Sequence, residues 1–237
     1  MDENSDVSGN YDGACAWADA SLRVNISTLC DAAVGAARVD GAAVSLLTPS
    51  CTARELLYAT DAVVARIDDV QLTLGQGPCL DAYRQRTPQA RNAIGNHHAE
   101  SPWPLFDDAV HHLGAGAVFA YPLLRAAASP LGVLELYRRS EGPLDSTQRA
   151  AATACAKALS TQIALDLPRH VAQRLPATRL TQVPVAAGMV ALQLDLLIDE
   201  ALDVLRAHSY SSDRPLSDVA DDVVQRRMTF AGGGPTV

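Results

Sequence analysis

GAVFAYPLL at residues 116–124 and PLGVLELYR at residues 130–138 are the two clearest strands in this 237-residue chain. Each is a short run of aromatic, β-branched and aliphatic residues, the composition that suits a pleated and half-buried surface, and the small residues at 126–129 supply a turn. A hairpin follows. Just beyond it, Asp145 with Gln148 three residues on matches a capping box, so an alanine-rich helix starts there and runs to about 167, before Pro168. Ala151, Ala154, Ala158, Thr161 and Leu165 make one stripe on this helix, and Cys155, Leu159, Ile163 and Leu167 make another. Two stripes require two neighbours. One neighbour is the sheet or an N-terminal helix. The alanine stripe permits close backbone approach and predicts dimerisation through the same helix of a second copy, the alternative being a single fold that packs both stripes itself.

Upstream, Leu22, Ile26, Leu29 and Ala33 recur at helical spacing, which predicts a helix over 19–37 closed by Asp40-Gly41. Residues 42–48 and 55–60 read as adjacent strands with Thr48-Pro49-Ser50 between them. From there to Cys79 the chain reads as irregular and glycine-marked, and Pro78 suits the first turn of a short helix starting near Cys79. A strand over 88–92, a loop containing His and Pro, and a helix over 104–113 lead back to the hairpin. Residues 1–16 carry no apolar period and predict a mobile leader.

Downstream, Pro168, Pro176 and Pro184 punctuate a basic stretch with Arg169, His170, Arg174 and Arg179, so a linker or helical extension is expected over 168–183. Three helical patterns and no strand signal occupy 184–230. Val185, Met189, Leu192 and Leu196 mark the first, Ile198, Ala201, Leu202 and Leu205 the second. Leu216, Val219, Ala220, Val223 and Arg227 mark the inner face of the third. A three-helix bundle is expected, with an unstructured tail over 231–237.

Hydrophobic residues make up 48% of the chain and charged ones 19%, enough apolar side chain for a sizeable core. The formal charge of -8 disfavours general attraction to nucleic acid or an anionic membrane, leaving only a local RNA site. No apolar run reaches membrane-spanning length, and the acidic start MDEN is unlike a secretory signal, so a cytoplasmic location without membrane partners is expected. Cys15, Cys30, Cys51, Cys79 and Cys155 form no C-x-x-C pair, which suggests neither a disulfide framework nor a sulfur-rich zinc site.

LGQGPCLDA at residues 74–82 resembles the L-G-x-G-x-x-x-x-A signature of bacterial GAF domains, and YPL at 121–123 followed by LGVLELY at 131–137 resembles that family's terminal hairpin. The resemblance spans 17–167 and implies an α+β sensory fold, an antiparallel sheet flanked by helices, with a small-molecule ligand whose identity and cofactor are unknown. AAGMVALQL at 186–194, EAL at 200–202, LRAHSY at 205–210 and RPLSDVA at 214–220 resemble the ANTAR domain, placed as it is after a GAF domain in actinobacterial regulators. That resemblance implies an all-α three-helix domain over 184–230. It also implies a non-enzymatic dimeric transcription antiterminator that holds hairpins of nascent RNA and is signalled through the helix over 146–167. A sensing or partner-binding module that no longer holds RNA is the alternative.

RNA binding needs cations for phosphates and aromatic or polar groups for unpaired bases. Arg206, His208, Tyr210, Arg214, Arg226 and Arg227 are the candidates. Their surroundings are acidic, however, since eight Asp and Glu outnumber five Arg over 177–237. Val185 and Ala187 also stand where the ANTAR pattern often has a glutamine and a basic residue. Cys79, Trp103, Phe106 and Tyr121 are the candidates for lining a GAF ligand cavity. Cys79, at a helix start whose dipole lowers a thiol pKa, is the thiol to examine for redox chemistry, as in the free methionine sulfoxide reductases that share the fold, against a plain buried packing role. Trp103 between two prolines is equally a loop anchor. His97-His98 and His111-His112 suggest no metal site, because adjacent histidines diverge and no carboxylate spacing joins them. No catalytic residues are assigned.

Overall fold

The computed structural model describes residues 20–48, 54–95, 101–125, 130–171 and 179–230. Their order is α1 (Ala20–Ala37), β1 (Gly41–Leu47), β2 (Arg54–Ala59), α2 (Ala62–Leu74), α3 (Pro78–Gln85), β3 (Gln89–Arg91), α4 (Pro104–His111), β4 (Ala117–Leu123), β5 (Gly132–Arg138), α5 (Ser146–Val171), α6 (Arg179–Leu194), α7 (Ile198–Ser211) and α8 (Leu216–Val224). The leader, the 126–129 turn, the tail, the His97-His98 pair, Cys15 and Cys51 lie outside the described residues.

The strands form one antiparallel sheet in the order β2-β1-β5-β4-β3. Because side chains alternate across a strand, each strand serves two cores. Val44, Leu46, Phe119, Tyr121, Leu134 and Leu136 face α1 and α5. Ala43, Val118 and Tyr137 face α2 and α4, and Leu47, Ala120 and Val133 face α3. The expected hairpin is present, β4 pairing β5 from Ala117↔Arg138 to Leu123↔Gly132.

The capping box at the start of α5 forms in both directions, Asp145 N–H donating to Gln148 Oε1 at 2.9 Å and Gln148 N–H to Asp145 Oδ1 at 2.8 Å. Leu159 and Ile163 are fully buried against α1 and the sheet, each worth about 1.5–3 kcal/mol relative to exposure. Ala154, Ala158, Thr161 and Leu165 form an exposed face, with Ala151 half-buried at its upper end and Leu165 65% exposed.

Several expectations are corrected. The stretch read as irregular is largely α2, a three-turn helix capped by the Asp61 side chain, which accepts the Val64 N–H at 2.9 Å. Its inner face breaks the apolar pattern because Asp68 and Gln71 are buried there beside Val64, Ile67 and Leu72. Helix occupies both ends of the stretch expected as a linker or helical extension: α5 continues through Pro168, where its end was expected, and α6 starts five residues before Pro184. The buried face of α6 is Val183, Ala186, Ala187, Val190 and Ala191, whereas Val185 and Leu192 point out, at 49% and 88% exposure. Small residues were passed over in favour of larger ones. Arg227 is not on an inner face, since α8 ends at Val224 and Arg226 turns the chain with a left-handed φ of 58°. Helices α6–α8 nevertheless close a core of their own around Leu205, Leu216, Val219 and Val223, and Leu72 of α2 joins it.

Candidate functional site

A cluster of polar side chains lies buried between the sheet and helices α2 and α3. From α2, Asp68 and Gln71 point inward, from β1 comes Ser45, from β5 Glu135, and from the start of α3 Cys79, all nearly inaccessible to solvent. The glycine turn makes this convergence possible. Gly75 ends α2 with φ 67°, and Gly77, with φ 143°, precedes Pro78 at the start of α3. A Cβ on Gly77 would lie 2.5 Å from Gln71 Cγ and Oε1, so only glycine lets Gln71 reach across. Gln71 Oε1 then accepts the Cys79 backbone N–H at 2.8 Å, while its Nε2 donates to Glu135 Oε1 at 2.7 Å.

Ser45 Oγ donates to Asp68 Oδ2 at 2.7 Å, and Arg54 of β2 makes an ion pair with the same oxygen and a second with Asp69 Oδ1 at 2.9 Å. Glu135 Oε2 takes no hydrogen bond of ordinary geometry, although the Cys79 thiol is near enough to favour its charged form. Burial pushes the Glu135 carboxyl up to about 8 against the opposing pull of Cys79, Arg54 and Gln71. Among the described residues, Asp68, Cys79 and Glu135 bring potential metal-ligand atoms within 4.8 Å of one another. No sequence motif could have found them, as they come from α2, α3 and β5.

Of the two readings of Cys79, the structure agrees with the buried packing role and not with an activated thiol. Burial drives its thiol well above the ordinary value, the Glu135 charge adds to this, and the Gln71 hydrogen bond only partly opposes it. Desolvation outweighs the few tenths to one kcal/mol a helix terminus offers. Cys30, buried between α1 and α5, is pushed up to about 12 by burial and then by Asp31. Iodoacetamide near neutral pH is therefore expected to leave Cys30 and Cys79 unmodified in the folded chain and to label both in denaturant. Peptide mass mapping checks this, and rapid native labelling of Cys79 would contradict it.

Trp103, Phe106 and Tyr121 do not join Cys79. Trp103 is buried, and its Nε1–H donates to Asp81 Oδ2 at 3.0 Å, tying α4 to α3 as a loop anchor. Phe106 is fully buried in the apolar layer under α2 and α4. Tyr121 is on the opposite face of the sheet by strand alternation, packed toward α5. There it lines a surface cavity of about 420 Å³ with Arg86, Arg125 and Lys157. His111 and His112 lie edge to face, with ring centroids 6.0 Å apart.

In the C-terminal unit the arginines are drawn to carboxylates. Asp222 receives Arg214 Nη2 at 2.6 Å and Arg227 Nε at 2.7 Å, and Arg227 Nη2 reaches Asp221 Oδ2 at 2.6 Å. Hydrogen bonds from Arg214 and Arg227 hold the Asp222 carboxyl below its ordinary range, so these pairs are intact at neutral pH. Arg226 is exposed beside them. His208 packs edge to face on Phe230, with centroids 5.4 Å apart, and Tyr210 is 63% exposed.

Arg206 points elsewhere. It pairs with Asp203 Oδ1 at 3.2 Å, and its guanidinium lies against Gly75, 2.9 Å from where a Cβ there would stand. A groove of about 480 Å³ separates α2 and α4 from α7, lined in part by Arg66, His112, Tyr210 and Arg214, and Arg66 Nη2 spans it to Asp213 Oδ1 at 3.1 Å. This seam between the two units was invisible in the sequence.

The site thus lies in a five-stranded antiparallel sheet covered by helices on both faces, with a polar cluster beneath a glycine turn. Residues 19–164 match the GAF domain family, and the chain belongs to that family. The photoproduct state of GAF3 from Slr1393 of Synechocystis sp. PCC6803 is similar in fold, with a TM-score of 0.50 at 13% identity over 65% of this chain and 99% of that one. The GAF-B domain of DevS from Mycobacterium smegmatis gives a TM-score of 0.46 at 17% identity, over 64% of this chain and 99% of that one. The type II free methionine-R-sulfoxide reductase from Thermoplasma acidophilum gives 0.45 at 14% identity, over 60% and 92%. No curated protein matches the chain. Among the described residues, no helix is long and apolar enough to cross a membrane.

Proposed function

We propose that this protein is a signal-responsive regulator in which the GAF unit senses a small molecule and the α6–α8 unit, read as an ANTAR domain, binds hairpins of nascent RNA to prevent termination. The carrying observation is the exposure of Tyr210 and Arg226 on the unit that bears the ANTAR resemblance, with Arg214 and Arg227 held by Asp222 until a phosphate displaces it. Exposed ion pairs contribute little, so a phosphate can displace the carboxylates at small cost. Tyr210 supplies an exposed ring for stacking on an unpaired base. Arg206 is assigned to the seam with the GAF unit rather than to the RNA. The reading gives the chain no reaction to catalyse.

Double substitution Arg214→Ala with Arg227→Ala is expected to weaken binding of a tandem-hairpin RNA by at least about tenfold, at an unchanged melting temperature. Equal affinity in a gel-shift titration would count against the reading. A second reading, a sensor whose helical unit engages a protein partner instead, is favoured by those same ion pairs and by the acidic excess around them. It predicts no RNA shift for the parent chain at any salt.

The exposed face of α5 is proposed as the dimer contact. Small side chains at Ala154 and Ala158 let two helix backbones approach, and Leu165 gains burial at its lower end. Light scattering is expected to give twice the chain mass for the parent and one chain mass for Ala158→Trp. A monomeric parent, or a variant whose mass does not change, would remove this contact.

A further inference from the structure

We propose that Asp68, Cys79 and Glu135 bind one divalent first-row transition-metal ion, of the zinc or ferrous-iron class, beneath the glycine turn of the GAF unit. Their ligand atoms already lie within 4.8 Å of one another. An ion bonded at about 2.0–2.3 Å to each would set them about 3.3–3.8 Å apart, so side-chain adjustments of an ångström or so complete the site. All three are buried, at 3%, 3% and 1% exposure.

The second observation is Glu135 Oε2, which is buried without a hydrogen bond while Oε1 is held by Gln71. A buried acceptor with nothing better than a poorly placed thiol to donate to it is costly, and a cation removes that cost. A thiolate and the carboxylates of Asp68, Asp69 and Glu135 carry four negative charges against the single positive charge of Arg54, an excess that a doubly charged ion offsets.

The atoms around the ligands are arranged to orient them. Gln71 joins two of the three, donating to Glu135 and accepting from the Cys79 backbone, and Ser45 donates to Asp68. Such outer partners fix ligand geometry. One sulfur with two carboxylate oxygens is too soft a set for magnesium or calcium, which take oxygen alone, and suits a borderline ion. Three protein ligands also leave a coordination position open, as in sites that exchange a small molecule. The sequence suggested no metal because these residues share no motif and Asp68 sat in a stretch read as irregular. The assignment stands apart from the RNA reading, since metal uptake is read directly.

The test uses the full chain and cobalt(II) as a spectroscopic probe, with metal content measured after gel filtration. About one cobalt per chain is expected, with thiolate-to-cobalt charge-transfer absorption in the near ultraviolet that Cys79→Ser abolishes. Glu135→Gln keeps the side-chain shape and is expected to weaken cobalt binding by more than about tenfold, at an unchanged far-ultraviolet circular dichroism spectrum. No uptake by the parent, uptake without the charge-transfer band, or affinity unaltered in Glu135→Gln would each overturn the site. Should Cys79→Ser not fold, the parent spectrum and Glu135→Gln decide.

Discussion

Gly132→Val is expected to cost the fold a large part of its stability and to melt far below the parent. Gly132 opens β5 where it pairs with both β1 and β4, and a Cβ there would be driven into the Ser45 carbonyl oxygen and lie 2.8–2.9 Å from the Ser45 carbonyl carbon and Leu46 Cα. All three contacts are backbone atoms of β1, so nothing flexible can yield. Overpacking ordinarily costs about 1–3 kcal/mol, and a clash between two central strands exceeds that, reaching about 4 kcal/mol or more. A domain of ordinary stability holds only about 5–15 kcal/mol in reserve. Thermal melting of Gly132→Ala and Gly132→Val checks the claim. A valine variant that melts with the parent would show that β1 and β5 do not approach as described.

The second large effect concerns Arg91 and Asp107. Asp107 of α4 is fully buried, and its Oδ2 receives both Nε and Nη2 of Arg91 at 2.6 Å, pinning the helix to the edge strand β3. Asp107→Ala removes the carboxylate that holds the part-buried Arg91 guanidinium and is expected to cost about 1.5–3 kcal/mol. Replacing both partners, Arg91→Met with Asp107→Leu, is expected to recover most of the loss, because the desolvation penalty goes with the charges. Chemical denaturation of the three variants measures the difference. A double variant no more stable than Asp107→Ala would show that shape, and not charge, holds α4 in place.

These effects explain which parts of the fold were legible. The hairpin, α1 and α5 announce themselves because their buried faces are apolar and the capping residues at Asp145 and Gln148 act locally. α2 was missed for the reason that makes it interesting: two of its inward positions are Asp68 and Gln71, polar residues serving the buried cluster instead of the core pattern. α6 was rotated in the reading because its core face is built from alanines and valines, whose small side chains count for little in periodicity, while Leu192 stands exposed.

The candidate site shows the same division. The glycine turn and Cys79 were recognisable from LGQGPC at residues 74–79, but Glu135 sits in a strand selected for its aliphatic neighbours, and Ser45 and Arg54 carry no motif. Tyr121 does not share a cavity with Cys79, because strand alternation sends it to the other face of the sheet. Long-range ion pairs such as Arg66 with Asp213 depend on how two units meet, which no local pattern encodes.

The central claim is that the arginines converging around Asp222 grip RNA when it displaces their carboxylates. Fluorescence anisotropy of a labelled tandem-hairpin RNA, titrated with the full chain at about 50 mM and about 200 mM salt, tests it most directly. Three phosphate contacts from Arg214, Arg226 and Arg227 predict an affinity loss of about 20–40-fold between the two salts, and a shallower dependence once Arg214 and Arg227 are alanine. Undetectable binding at the lower salt, or binding indifferent to salt and to both substitutions, would contradict the account.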